Sequence, residues 1–310
     1  MPRRRILAPL RVLVPLDGSK SATAALRHVV SLCERVRAEL VAVTVLDDRH
    51  RETMDIDLPV GPPASSPRAR RTANLRQRLD AYLRDVGRVV EERGIPVTTY
   101  VLEGEAETEV LAAASRLECD LVAMAPQTHS DIREQLLGSV TEHVLHRCSV
   151  PVLIVRPGGA EFFADNPPSH RAAGVFVVPL DGSESGESSL PAARGLAGVF
   201  RRRIHLLMVL RPPDPDAPAS ERLEAGIVRR DAEQYLAGLV TDLRSEGLEA
   251  YSEVAIGDPV SELVERANRS PATALVMSAR RRAAGSARLF GSVIDPVIRG
   301  TRGTMLVVPR

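Results

Sequence analysis

The sequence lacks an excess of charge of either sign, because its 41 lysine and arginine residues nearly balance its 40 aspartate and glutamate residues. Sequence-independent binding of nucleic acid normally needs a strongly basic surface field. The composition therefore argues against a nucleic-acid partner. We expect any partner to be recognised by local chemistry instead.

Cysteine is scarce, and the spacing of the cysteines does not indicate a metal site. The three cysteines, Cys33, Cys119 and Cys148, form no CxxC pair. Their odd number argues against a disulfide framework, and their spacing argues against a thiolate zinc site. We expect all three to be reduced and mostly buried. His143 and His146 lie three residues apart, but no ligand set of known spacing accompanies them, so no metal site is predicted.

Long apolar runs are also missing. No stretch approaches the roughly 18 uninterrupted apolar residues of a membrane span. The basic and then apolar start is interrupted by Pro9, Arg11 and Pro15 and leads into a turn signal, so it predicts a first strand and not a signal peptide. No Ser-His-Asp or Cys-His arrangement is indicated either, and no catalytic residue is predicted. We expect a cytoplasmic protein with no membrane partner.

An internal repeat is the strongest feature that is present. The segment VLVPLDGS at residues 12–19 returns as FVVPLDGS at residues 176–183, an offset of 164 (181 − 17). Later landmarks return at an offset of 153 (257 − 104), so the second copy has lost 11 residues (164 − 153). We place this loss in the polar, proline-bearing tract at residues 47–66, which has the composition of a surface loop. The later landmarks are Gly104 and Gly257, Met124 and Met277, and Gly138-Ser139-Val140 and Gly291-Ser292-Val293.

The repeat predicts two domains, in agreement with a prior of roughly 150 residues per domain. We place domain 1 at residues 1–158 and domain 2 at residues 172–310. Residues 159–171 contain turn formers and show no sustained periodicity, so they are predicted to be the linker.

Within each copy, apolar runs bounded by turns alternate with segments of helical periodicity. This alternation predicts an α/β fold in which each domain has a five-stranded, mostly parallel sheet with helices on both faces. Ligands of such sheets bind beyond the carboxyl ends of the strands, where the strand order reverses. The strands predicted in the first copy are Val12–Leu16, Leu40–Leu46, Val97–Leu102, Leu121–Ala125 and Val150–Val155.

Two motifs are predicted at that edge, and each has two interpretations. Asp17-Gly18-Ser19 follows a strand and precedes a helix, so it is either a capped turn or part of a ligand site. Gly138-Ser139-Val140 lies at a predicted helix start, where it either binds a phosphate or allows close packing. Local chemistry alone leaves both alternatives open.

The order of motifs in both copies resembles the universal stress protein family. The resemblance covers almost the whole chain twice, and it implies a Rossmann-like fold of the adenine nucleotide alpha hydrolase type. The motifs that carry it occur in the same order in both copies. They are strand-PLDGS-helix, Gly104-Glu-Ala or Gly257-Asp-Pro before a helix, Asp120-Leu-Val-Ala-Met124 or Ala274-Leu-Val-Met277, Gly-Ser-Val, and the last strands PVLIVRP at 151–157 and MLVVP at 305–309.

Both copies depart from the family's phosphate loop, which in nucleotide-binding members is G-x-x-G, nine residues, then G-S or G-T. The two leading glycine positions hold Ala125 and Thr128 in the first copy and Ser278 and Arg281 in the second. Side chains at such positions add strain or fill ligand volume. If a nucleotide binds, we therefore expect it in copy 1 and not in copy 2. The run of Arg280, Arg281, Arg282 and Arg288 in copy 2 either binds phosphate or forms a solvated basic surface, which we favour.

The resemblance implies a nucleotide site in each domain. Without it, Val45, Met124 and Val209 would be interpreted as core residues at strand ends. The implied site residues of domain 1 are Pro15, Asp17, Val45, Met124, Ala125, Thr128, Gly138, Ser139 and Val140, and those of domain 2 are Pro179, Asp181, Val209, Met277, Gly291, Ser292 and Val293.

Three functional hypotheses follow from the resemblance. The leading one is a non-catalytic, stress-response regulatory protein that binds ATP, with Mg²⁺, or another adenine nucleotide in domain 1 and acts on a protein partner. The second is a slow ATP hydrolase or nucleotidyl-transfer enzyme in which Asp17 holds the metal, although no candidate emerges for the base that would position water. The third is a scaffold without nucleotide, in which residues 150–155 pair with residues 305–308 inside the chain and a homodimer forms through other surfaces.

Overall fold

Strands and helices alternate along the chain in the computed structural model, which describes residues 10–47, 67–126, 137–156, 174–269, 273–279 and 292–310. The strands are β1 Arg11–Pro15, β2 Glu39–Leu46, β3 Val97–Glu103, β4 Leu121–Met124, β5 Val152–Ile154, β6 Val175–Pro179, β7 Arg203–Leu210, β8 Ala250–Ile256, β9 Thr273–Ala279 and β10 Thr304–Pro309. The helices are α1 Lys20–Val36, α2 Pro67–Glu91, α3 Ala106–Arg116, α4 Ser139–Arg147, α5 Glu184–Glu187, α6 Leu190–Phe200, α7 Ala219–Ser245, α8 Pro259–Asn268 and α9 Ile294–Gly300.

The chain forms two compact units that divide between Val150 and Pro151. Unit 1 contains the described residues from 10 to 126 and from 137 to 150, and unit 2 contains those from 151 onward. The predicted linker at residues 159–171 lies outside the described residues.

Unit 1 is built on parallel strands in the order β3-β2-β1-β4. These strands are rich in valine and leucine because helices cover a parallel sheet and leave little of it exposed to water. Val12, for example, lies opposite Leu40 in β2 and Leu121 in β4 and is 2% exposed. The order reverses at β1, since the chain passes from β1 to β2 and β3 on one side and returns to β4 on the other.

Unit 2 repeats this arrangement in the order β10-β9-β6-β7-β8, again parallel, with the reversal at β6. It also holds β5, the last strand of the first copy, which runs antiparallel to β10 with Leu153 opposite Leu306. These are the two segments whose pairing the family resemblance implied. The predicted mostly parallel α/β fold with five strands from each copy is confirmed.

The length difference between the copies lies where the sequence placed it. Strand β2 and its counterpart β7 begin 164 residues apart (203 − 39), whereas β3 and β8 begin 153 apart (250 − 97). Helices α2 and α7 already follow the shorter offset, since they end 154 apart (245 − 91). The change therefore falls between β2 and α2, at residues 47–66, and that connection leaves the carboxyl end of the sheet.

The native cysteines are all free and buried, as expected. Cys33 lies on α1 with no exposed surface, and Cys119 and Cys148 are 4% and 2% exposed. Burial raises the pKa of the Cys33 thiol to about 12 and that of Cys119 to about 11. Because the thiolate is the reactive form, both thiols are poor nucleophiles near neutral pH.

A buried histidine in unit 2 makes stability depend on pH. The ring of His205 stacks on Tyr251 at 4.5 Å between centroids, and its Nε2 lies 3.2 Å from Glu253 Oε2. Burial lowers the pKa of His205 to about 4, with the charges of Arg266 and Arg269 acting in the same direction and Glu253 against it. The folded protein therefore holds this imidazole neutral across mildly acidic pH.

We predict that His205 destabilises the fold as the pH falls from about 6.5 to about 4, because the unfolded chain binds a proton there and the folded chain does not. At pH 5 this effect lowers the free energy of unfolding by about 2 kcal/mol relative to neutral pH. His205→Phe keeps an aromatic ring against Tyr251 and cannot titrate. Urea unfolding at pH 7 and pH 5 should show a smaller loss of stability in the variant, and an equal loss in both proteins would contradict the assignment.

The part of the chain that the structure describes contains no helix with the length and apolarity needed to cross a bilayer.

Candidate functional site

The switch point of unit 1 contains a cavity of 260 Å³. It opens at the carboxyl ends of β1, β2 and β4 and at the start of α4, as the strand order predicts. Eight of the nine site residues predicted for domain 1 line it, and the ninth, Thr128, lies outside the described residues. The eight are Pro15, Asp17, Val45, Met124, Ala125, Gly138, Ser139 and Val140.

The turn from β1 to α1 is both capped and part of the cavity wall. Gly18 has φ +76°, which favours glycine, and the Ser19 N–H donates to Asp17 Oδ1 at 2.9 Å. Ser19 Oγ in turn accepts the Ala22 N–H at 3.1 Å and caps α1. The local interpretation as a capped turn is therefore correct. It does not exclude a ligand role for Asp17, which also lines the cavity.

The start of α4 presents its backbone to the cavity. Gly138 is the N-cap residue with φ +74° and provides no side-chain cap, and Ser139, Val140 and Thr141 of the first turn line the cavity. The first N–H groups of a helix lack partners within the helix, and the helix dipole adds positive potential there. This end of the cavity is suited to an anion such as phosphate.

Sequence reasoning missed a second carboxylate in this site. Asp47 is only 6% exposed and lines the same cavity as Asp17. It is the first residue after β2, where the sequence predicts the start of a polar loop. Its position one residue beyond a buried parallel strand is the signal that could have identified it. Leu75 and Leu79 of α2 add an apolar wall that the sequence also did not assign to the site.

The charged residues in the described lining of this cavity are both acidic, namely Asp17 and Asp47. Two carboxylates with phosphate oxygens nearby are the donor set that Mg²⁺ uses when it binds with a nucleotide. The residues present therefore fit a magnesium ion that is shared with a phosphate ligand. They do not form a cage that would hold the metal alone, since the described residues contain no cluster of three or more His, Cys, Asp or Glu side chains placed for a metal.

Unit 2 has a corresponding cavity of 400 Å³ at its own switch point. Asp181 repeats the turn, since its Oδ1 accepts the Ser183 N–H at 3.0 Å. Gly291 and Arg281, together with the rest of the arginine-rich loop, lie outside the described residues. Six of the seven site residues predicted for domain 2 line the cavity, and they are Pro179, Asp181, Val209, Met277, Ser292 and Val293.

Two features distinguish the second cavity from the first. Helix α9 is seven residues long and begins at Ile294, one residue after Val293, so the Gly-Ser-Val motif precedes the helix. Arg310, which directly follows β10, lines the cavity and places a cation in it. No sequence motif indicated this arginine.

An open α/β sheet with a cavity at its switch point, present twice in one chain, defines a tandem protein of the doubly wound α/β class. The chain belongs to the universal stress protein family, whose model matches residues 10–156 and 174–309. The resemblance that the motifs suggested is thus confirmed.

Two curated relatives each match about half of the chain. Universal stress protein MJ0531 of Methanocaldococcus jannaschii is 28% identical over 146 residues, which cover 47% of this chain and 81% of the relative. Universal stress protein MJ0577 of the same organism is 26% identical over 152 residues, covering 47% of this chain and 94% of the relative. A universal stress protein from Archaeoglobus fulgidus shares the fold over 97% of this chain and 98% of its own, with a TM-score of 0.69 and 21% identity.

Proposed function

We propose that this chain is a non-catalytic regulatory protein that binds ATP or another adenine nucleotide in the cavity of unit 1. The observation that carries the proposal is the convergence of the eight described site residues on one cavity next to an α-helix N-terminus. The family resemblance supplies the class of ligand. The proposal includes a cytoplasmic location and action through a protein partner.

The shape of the cavity supports a nucleotide whose phosphates lie at its mouth. Its 260 Å³ is close to the lower end of small-molecule pockets, which run from roughly 300 to 1,000 Å³. Such a volume suits a base and ribose against the apolar wall of Val45, Leu75 and Met124. The phosphates would then extend toward Gly138 and the first turn of α4.

Titration of the purified chain with ATP and Mg²⁺ by isothermal calorimetry tests the proposal. We expect one magnesium-dependent ATP site per chain. Within the described part of the chain, unit 1 alone has two carboxylates in its cavity lining and a nine-residue helix that begins there, whereas α9 of unit 2 has seven residues. The absence of ATP binding, or two equal magnesium-dependent sites, would refute it.

Removal of Mg²⁺ should weaken ATP binding by about tenfold or more. Asp17 and Asp47 repel the triphosphate unless a cation lies between the two carboxylates and the phosphates. A factor of ten in affinity corresponds to about 1.4 kcal/mol. Adenosine has no phosphate and serves as the control, so its affinity should not change when EDTA is added. An ATP affinity that is independent of Mg²⁺ would contradict a metal role for these carboxylates.

Asp47 also favours a second candidate function, a slow ATP hydrolase. Such an enzyme needs one carboxylate for the metal and another group to orient water, and the cavity contains two carboxylates. Release of phosphate that is lost in Asp17→Ala and in Asp47→Asn, and retained in Asp181→Ala, would establish this activity. Phosphate release no faster than in buffer alone would exclude the hydrolase and leave the binding function.

A further inference from the structure

Thr44 is a buried threonine in the wall of the unit 1 cavity. It lies on β2 next to Val45 and is 3% exposed. Within the described part of the chain, its hydroxyl has no hydrogen-bond partner. Most buried hydroxyls in proteins have a partner, because an unpaired one costs stability. An unpaired hydroxyl in a cavity wall is therefore a group that a bound molecule can engage.

The second copy has an apolar residue at this position. Strands β2 and β7 begin 164 residues apart (203 − 39), so Thr44 corresponds to Met208 (44 + 164). The strand register agrees, since the residue before each of them lies opposite the proline that ends the first strand of its unit, Pro15 or Pro179. Unit 1 thus has a hydroxyl where unit 2 has a thioether.

Met208 shows the direction in which a side chain at this position extends. A Cβ added at Gly182, in the turn after β6, would lie 3.8 Å from Met208 Cε. The methionine therefore reaches the Asp-Gly-Ser turn of unit 2. In unit 1, a Cβ added at Gly18 would meet no atom of the described residues within 4 Å. The shorter Thr44 leaves open the space beside the turn that Met208 fills in unit 2.

The position of Thr44 assigns it to the base of the ligand and not to the phosphates. Three side chains in the described cavity lining carry a hydroxyl, namely Thr44, Ser139 and Thr141. Ser139 and Thr141 belong to the first turn of α4, where we propose that the phosphates lie. Thr44 is on β2 beside Val45, which belongs to the apolar wall proposed for the base.

A nucleobase needs a polar group of this kind in an otherwise apolar pocket. The nitrogens and oxygens at its edge form hydrogen bonds in water, and an apolar wall alone leaves them unpaired. A threonine hydroxyl can donate or accept a hydrogen bond, whereas a methionine sulfur is only a weak acceptor. Ligand pockets are mostly apolar and use a few placed polar groups to fix orientation. Thr44 supplies such a group, and Met208 does not.

We propose that Thr44 determines which ring the unit 1 cavity accepts, because its hydroxyl forms a hydrogen bond with a nitrogen or oxygen at the edge of a nucleobase. The inference rests on the nucleotide function proposed above and adds the residue that selects a polar heterocyclic base. Met208 removes this interaction from unit 2 and fills the corresponding space. The two units therefore differ in base recognition, although the strand order around the two cavities is the same.

Calorimetry on the full chain with ATP, adenosine and tripolyphosphate, each with Mg²⁺, tests the role of Thr44. Thr44→Val removes the hydroxyl and nearly keeps the size of the side chain. We expect it to weaken ATP and adenosine by about tenfold each, the factor that about 1.4 kcal/mol provides, and to leave tripolyphosphate unchanged. Thr44→Ser keeps the hydroxyl and should bind ATP within about threefold of the parent. Thr44→Met introduces the residue of unit 2 and should weaken ATP more than valine does.

Thr301→Val is the matched control for stability. Thr301 is fully buried, its hydroxyl donates to the Val297 carbonyl at 2.8 Å, and it lines neither described cavity. Without ligand, Thr301→Val should lower the urea midpoint, whereas Thr44→Val should not, because it removes a hydroxyl without a partner among the described residues. A midpoint that falls equally in both variants would assign Thr44 a structural role and overturn the inference.

The affinities separate this inference from the function on which it rests. Absence of ATP binding in the parent would refute the proposed function and the inference together. ATP binding that Thr44→Val leaves unchanged or strengthens would refute the inference alone. Equal weakening of ATP and tripolyphosphate would also refute it, because the hydroxyl would then act on the phosphates. If Thr44→Val does not fold, Thr44→Ser and Thr44→Met decide the question by the same three affinities.

Discussion

Replacement of Gly138 by valine should abolish measurable ATP binding in unit 1. With φ +74° and ψ 145°, this residue adopts a backbone conformation that is nearly restricted to glycine and that costs other residues about 1–3 kcal/mol. A Cβ at Gly138 would meet no atom of the described residues within 4 Å, so the side chain would project into the space where we propose that the phosphates lie. Strain at the helix start and loss of ligand space together predict a decrease of about 100-fold or more in ATP affinity, equivalent to about 2.8 kcal/mol.

Gly94 provides a control that is matched in φ. It also has φ +74°, and a Cβ there would likewise meet no atom of the described residues within 4 Å, but it follows α2 and does not line the cavity. Gly94→Val should reduce the free energy of unfolding by a similar amount, about 1–3 kcal/mol, and leave ATP affinity intact. Calorimetry and urea unfolding on both variants separate the two effects. An ATP affinity that survives in Gly138→Val, or that is lost equally in Gly94→Val, would contradict a role for Gly138 at the phosphate.

A fragment that begins at residue 172 should self-associate, because it lacks β5. In the whole chain, β5 covers one edge of β10, where Met305, Leu306 and Val307 are at most 5% exposed. Without β5, this apolar strand has unpaired N–H and C=O groups along a free edge, which is the usual template for pairing with another chain. Light scattering after size exclusion should show dimers or larger species for fragment 172–310 and a smaller proportion of them for fragment 150–310, in which the short strand β5 covers this edge.

Leu153→Pro in the longer fragment provides the internal control for this edge. Leu153 lies opposite Leu306, and proline there cannot donate to a ladder. The variant should behave like the shorter fragment although it has the longer chain. A monomeric 172–310 fragment with the stability of 150–310 would show that β10 needs no partner. Our proposed boundary between residues 158 and 172 assigns β5 to domain 1. Self-association of fragment 172–310 would show that domain 2 needs this strand of domain 1 to cover β10.

The sequence predicted the architecture well because the relevant signals are local and duplicated. Buried parallel strands such as Val12–Leu16 are continuous apolar runs, and the turn after each first strand repeats the same Asp-Gly-Ser. The position of the cavity followed from the general rule on switch points. The site residues around Asp17 and Gly138 were placed by these signals together with the family resemblance.

The two charged residues that were missed have different explanations. Asp47 directly follows β2, whose end at Leu46 was predicted correctly, but it also begins the polar tract that was interpreted as a surface loop. Arg310 contacts Ser185 and Ser278, which are 125 and 32 residues away in the chain. Its role arises only when β10 pairs with β9 and brings the guanidinium to the serine of α5.

The burial of the native cysteines offers a practical way to observe the two cavities one at a time. Cys33, Cys119 and Cys148 are inaccessible, so a thiol-selective dye would react with an added surface cysteine in preference to them. Ala73 is exposed on α2, two residues before Leu75 of the unit 1 cavity. A fluorophore on Ala73→Cys would report occupancy of that cavity in the otherwise native chain, and a dye placed in unit 2 would report the other.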